Sequence, residues 1–127
     1  MTSIGGVHHV AIKARDVARV AEFYRDVLGL AEEKRHQDDA GALRSIWLRA
    51  GTSLVMIERA QTPGADNAAR DFTSDPPGIH LVALTIDAKD RAEFAARLDV
   101  VHRTDYTLYV LDPEGNRVGL SSYPERA

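Results

Sequence analysis

Histidine is the side chain of this sequence best suited to proton transfer or metal ligation near neutral pH, and its five copies fall into a pattern. His8 and His9 sit in Gly6-Val7-His8-His9-Val10-Ala11-Ile12. That segment aligns without a gap on Gly78-Ile79-His80-Leu81-Val82-Ala83-Leu84. His80 therefore matches His8, and His9 meets Leu81. Neighbours in an extended strand point to opposite faces, so His80 points away from the face that His9 takes. A one-residue bulge near Pro76-Pro77-Gly78 would turn it back. His9 offers a hydrogen-bond donor or a general base; the plainer alternative is a bonded, inert imidazole. There is no cysteine, which rules out a disulfide framework, a thiolate nucleophile and a cysteine-based zinc site.

The elements that must hold these residues are themselves duplicated. Ala21-Glu22-Phe23 recurs as Ala92-Glu93-Phe94, and Gly51 through Val55 falls on Gly115 through Gly119. Such repeats indicate two copies of one supersecondary unit. In the first copy, residues 7–13 read as a strand, and Asp16 caps a helix running to 28 along Val17, Val20, Ala21, Tyr24 and Leu28. Gly29 stops it. Strands follow at 30–36, 42–50 and 53–59, separated by turn-forming sequence. Residues 60–77 read as a linker with one helical turn around 67–72. The second copy predicts a strand at 79–86, a helix at 89–98 and strands at 100–103, 106–111 and 117–122. The shorter spacing after its helix predicts a short or irregular sixth strand. The fold class is α+β: two βαβββ units, 6–59 and 78–123, in a single domain spanning 1–127.

Hydrophobic residues make up 44% and charged residues 28% of 127, a globular composition with a core of ordinary size. A net charge of −3 and dispersed basic residues give no electrostatic case for nucleic acid or an anionic membrane. Residues 1–6 lack the apolar run of a signal peptide, and no stretch approaches transmembrane length. A cytoplasmic setting is expected.

The opening His-His-Val-Ala-Ile strand, the helix exit Phe23-Tyr24-Arg25-Asp26-Val27-Leu28-Gly29-Leu30 and the turn Asp112-Pro113-Glu114-Gly115-Asn116-Arg117 form a set. With them the chain resembles the vicinal oxygen chelate superfamily over about 6–123. That superfamily includes glyoxalase I, extradiol dioxygenases, methylmalonyl-CoA epimerase, and the fosfomycin and bleomycin resistance proteins. The resemblance implies an open, cup-shaped mixed β-barrel with helices outside, half of it from each unit. It also implies, for enzymatic members, a divalent metal (Fe, Mn, Ni or Zn) held by the first and fourth strands of each unit and acting as a Lewis acid. Carried over residue by residue, the ligand positions are His9, Val55, Leu81 and Gly119. Three of these have no lone pair to give, whereas a working site needs three or four protein ligands. The alternative metal set is His9, His80 and Glu58, with Glu58 at the opposite parity to Val55.

By alternation, Val7, His9, Ala11, Ser53, Val55 and Ile57 of unit one should face the cup. Ile79, Leu81, Ala83, Arg117, Gly119 and Ser121 should do so in unit two. This is a mostly apolar lining with few polar groups, the usual composition of a small-molecule site. Gly119 removes volume and leaves room for a bulky neutral ligand. Arg117 either pairs with a ligand anion through its planar fork or bridges to a protein acid. Trp47 and Tyr109 have equal parity and either stack on a planar ligand or pack against the helices. The expectation is a small-molecule binder with no cofactor, acting as a homodimer by family habit. The alternatives are a divalent-metal-dependent lyase, isomerase or extradiol-type dioxygenase, and an accessory domain that binds a protein partner.

Overall fold

The computed structural model describes residues 2–62 and 77–126. The chain divides into two units, Met1–Gly64 and Ala65–Ala127. The helical turn expected at 67–72 lies outside the described residues.

Unit one begins with strand β1 (His9–Ala14), followed by helix α1 (Val17–Glu22). The Asp16 carboxylate accepts from the Arg19 backbone N–H at 3.1 Å, satisfying one of the donors that a helix start leaves open. α1 runs directly into a π-helical segment, Phe23–Val27, so the helix expected to reach 28 loosens in its last turns. Gly29, at φ +87°, then makes the left-handed turn that ends it. Val17, Val20, Ala21 and Tyr24 are buried, the three- and four-residue stripe read from the sequence.

Strands β2 (Ala31–Gln37), β3 (Leu43–Ala50) and β4 (Ser53–Arg59) complete the unit. The sheet order is β1-β4-β3-β2; β4 runs parallel to β1 and antiparallel to β3. As an inner strand covered on both sides, β4 carries the unbroken apolar run Leu54-Val55-Met56-Ile57, and all four are buried. Between β2 and β3, Asp38 Oδ1 accepts from the N–H groups of Ala40 at 3.0 Å and Ala42 at 2.9 Å. This side-chain turn fixes the hairpin.

Unit two repeats the plan with β5 (Val82–Thr85), a 3₁₀ turn (Ala88–Asp90), α2 (Arg91–Arg97), β6 (His102–Arg103), β7 (Thr107–Leu111) and β8 (Arg117–Ser121). Its order is β5-β8-β7-β6. β6 has only two residues, the short sixth strand anticipated from the spacing. The expected helix at 89–98 resolves into the 3₁₀ turn and α2, and α2 has no buried residue. The turn 112–116 is held by Asp112, whose Oδ1 accepts from the N–H groups of Glu114 and Asn116, each at 2.9 Å. Two βαβββ units of the α+β class are therefore present. No helix among the described residues is long and apolar enough to cross a membrane.

Candidate functional site

Strand pairing decides which side chains of unit one share a face. Hydrogen-bonded partners point the same way, so reading across β2, β3, β4 and β1 gives rows. One row is Lys34, Trp47, Met56 and Ala11. The next is His36, Ser45, Glu58 and Lys13, and His9 stands in a third with Leu54 and Arg49. The other face carries Val10, Ile12, Leu48, Ile46, Val55 and Ile57.

This register corrects the anticipated lining. Val55 pairs with Val10 and Ile57 with Ile12, on the opposite face from His9. They are 2% and 0% exposed, on the face that also carries the buried Ile46 and Leu48. The Ser53 hydroxyl donates to the Val7 carbonyl at 2.6 Å, holding the chain that leads into β1. Val7 and Ile79 lie outside the strands and are exposed. Glu58, in contrast, does share the His9 face. It pairs with Lys13, four residues along β1 from His9, which separates the two by about 13 Å at the strand rise. Glu58 also accepts an ion pair from Lys13 at 3.2 Å.

The face with Trp47 holds a cavity of about 360 Å³ lined by Lys13, His36, Arg44, Ser45, Trp47, Glu58, Arg59 and Gln61. The Trp47 and His36 rings lie 4.8 Å apart at a tilt of 58°, and the Lys34 ammonium sits 5.7 Å from the indole centroid. His36 Nδ1 and the buried Ser45 hydroxyl are hydrogen-bonded at 2.9 Å. Arg59 reaches Asp38 at 3.1 Å. Asp38 is held below the usual carboxylate range, first by the Ala42 N–H and next by Arg59. The Trp47 indole N–H is buried and meets no acceptor among the described residues. Of the lining, only Trp47 and, as a metal candidate, Glu58 were singled out from sequence. The signal for Lys34, His36 and Ser45 was their common parity with Trp47 once β2 and β3 are paired. Arg44, Arg59 and Gln61 sit at strand ends, where alternation says little.

In unit two the pairing puts Ala83, Gly119, Tyr109, Thr107 and Ser121 on one face, while Ile79 and Leu81 precede β5. Ala83 pairs with Gly119, Gly119 with Tyr109, and Thr107 with Ser121. The space at Gly119 is not vacant, however. A side-chain carbon placed there would meet Thr107 Cγ2 at 3.2 Å, Leu81 Cδ1 at 3.4 Å and Ala83 Cβ at 3.5 Å. The missing side chain therefore leaves less free space beside the backbone than expected, because these neighbours lie close to it. Tyr109 rests on His102 with ring centroids 5.4 Å apart, and the Ser121 hydroxyl accepts from Thr107 Oγ1 at 2.9 Å. Arg117 is 3% exposed. Its Nη1 donates to His80 Nδ1 at 3.3 Å and to the His80 carbonyl at 3.4 Å. A cation therefore occupies the lone pair that a re-registered His80 would need for a metal.

These donors do not fit the metal centre implied by the family. Unit one places His9 and Met56 on one face, and in unit two Leu81 lies beside Gly119; of these four residues only the histidine is an ordinary ligand for the implied metals. Among the described residues no three His, Asp or Glu side chains converge. His9 itself is exposed, with its Nδ1 2.9 Å from His8 Nδ1, so that one ring donates and the other accepts.

Residues 6–120 match the Glyoxalase/Bleomycin resistance protein/Dioxygenase superfamily, and the chain belongs to that family. Among solved structures it is similar to a glyoxalase/dioxygenase from Nostoc punctiforme, at 18% identity and a TM-score of 0.72, covering 98% of this chain and 99% of that one. It is also similar to a lactoylglutathione lyase from Agrobacterium tumefaciens, at 20% identity and a TM-score of 0.65, covering 96% of each chain. A fosfomycin resistance protein from Listeria monocytogenes is similar at 14% identity and a TM-score of 0.70, covering 94% of each chain. That protein was solved with Mn(II) and 1S,2S-dihydroxypropylphosphonic acid. No curated protein sequence matches. At these identities the likeness establishes the fold.

Proposed function

We propose that this protein binds a small molecule on the Trp47 face of unit one and does so without the metal centre of its catalytic relatives. The observation that supports the reading is the composition around Gly119. The position itself has no side chain to give a lone pair, and its neighbours Thr107, Leu81 and Ala83 already lie at contact distance from where a side chain would begin. The cavity beside Trp47 supplies the other half, because an aromatic wall with a few directed polar groups is how such sites are built. Its lining is more polar than the apolar wall expected from Val55 and Ile57. The reading includes a homodimer, from the habit of the family, and a cytoplasmic setting, from a composition without cysteine.

A second reading is a divalent-metal-dependent lyase, isomerase or extradiol-type dioxygenase. It draws on His9 and Glu58 sharing one face. Metal content by mass spectrometry on untagged protein separates the two, followed by thermal shifts with Fe(II), Mn(II), Ni(II) and Zn(II). Metal-free protein that does not respond to these ions, yet is stabilised by a compound from a small-molecule screen, is the expected result. Near-stoichiometric metal would establish the second reading instead. Unchanged binding by His9→Ala would mark that histidine as inert.

A further inference from the structure

We infer that the unit-one cavity takes a planar molecule bearing an anionic oxygen group, of the aromatic carboxylate class. The inference rests on the small-molecule reading above and names the chemistry of its ligand.

Two independent observations point the same way. The first is charge. Around a cavity of about 360 Å³ stand Lys13, Arg44 and Arg59, with Lys34 over the adjacent indole. Against these four cations stand two carboxylates, Glu58 on Lys13 and Asp38 on Arg59. The chain as a whole has a net charge of −3, so this face is opposite in sign to the chain average. Each ammonium and guanidinium carries several donors, and one ion pair does not exhaust them.

The second observation is the Trp47 indole, which lines the cavity. Its buried N–H meets no acceptor among the described residues. A buried donor left unpaired costs free energy, which a ligand oxygen recovers once the ring turns its N–H into the cavity. An indole N–H only donates, so the matching ligand atom must accept. The same ring presents a flat apolar surface for a planar group. His36, held by Ser45 at 2.9 Å, walls the ring on one side. A ligand with a planar body and a charged acceptor satisfies the indole, the ring and the cations together.

The test uses the intact protein, 2-naphthoate and its neutral isostere 2-naphthamide. Trp47 is the sole tryptophan, so it gives a single indole N–H resonance that reports on this cavity. The expected result is a saturable shift of that resonance with naphthoate. Naphthamide should bind about tenfold more weakly or worse, as loss of a charge-assisted contact implies. Arg44→Gln should weaken naphthoate by about threefold or more, with an unchanged melting temperature. Equal binding of acid and amide would overturn the anionic assignment while leaving small-molecule binding intact. So would a naphthoate site that leaves the Trp47 resonance unmoved. Failure of both probes, joined by a blank small-molecule screen, would sink this inference and the underlying reading together.

Discussion

Each unit has the same kind of row across its own sheet, and the two fill it differently. Unit one reads Lys34, Trp47, Met56, Ala11; unit two reads His102, Tyr109, Gly119, Ala83. In the first, a large indole stands over a cavity with charged groups in the next row. In the second, glycine lets Leu81 and Thr107 close in, and the next row is the hydroxyl pair Thr107 and Ser121. The helices differ as well, since α1 buries a full stripe and α2 buries no residue. Duplication preserved the backbone plan while the side chains of the corresponding rows diverged.

Four perturbations would break or sharpen this contrast. The largest effect belongs to the face opposite Trp47. Ile57→Ala should cost about 2–5 kcal/mol of stability in urea denaturation, because a fully buried side chain leaves a cavity. Naphthoate affinity measured where the protein is folded should not change. A variant of normal stability that loses binding would show that β4 faces the other way.

Gly119→Glu comes next. Overpacking against Thr107 should cost about 1–3 kcal/mol. Mn(II), Ni(II) or Zn(II) should not restore the melting temperature, and rescue by any of them would show that unit two does have a ligand position.

Trp47→Leu against Tyr109→Leu then compares the two rows directly. The first should weaken naphthoate by about 3- to 10-fold, the range of an aromatic contact. The second should leave calorimetric titrations unchanged. Equal losses would spread the site over both units.

The smallest effect is electrostatic. Asp38 is held low by the Ala42 N–H and Arg59, and Glu32 by Arg35 and Arg25. A depressed carboxyl stabilises the fold above its ordinary pKa and loses that contribution as pH falls through its folded value. The window therefore lies below pH about 4. Both side chains remain in contact with solvent, so the effect should be small. Asp38→Asn should lose less of its stability between pH 5 and pH 3 than the parent, followed by circular dichroism. A steeper acid loss in the variant would contradict the assignment.

The elements were largely legible because their signals are local. Asp16, Gly29 and the stripe through Val20 and Tyr24 announce α1, and Asp38 and Asp112 announce their turns by side-chain hydrogen bonding. Facing was not legible in β4. Matching Gly51 to Gly115 puts Val55 opposite Gly119, yet pairing puts Met56 there. Both glycines have positive φ, but Gly51 begins a two-residue turn and Gly115 ends a longer one. They match in conformation and differ in place, and a slip of one residue reverses every side chain of the strand. The charged cavity was missed for the same reason, since an unbroken apolar run such as Leu54 to Ile57 carries no alternation to read.

The packing around Gly119 also constrains the routes by which such a chain can change. A carboxylate introduced there would press its first side-chain atom on Thr107 Cγ2, 3.2 Å away, and that methyl would have to give by a few tenths of an ångström. A smaller residue at 107 would relieve the contact, yet made first and alone it would open a void. The two positions are therefore coupled, and the order in which they change decides what each step costs.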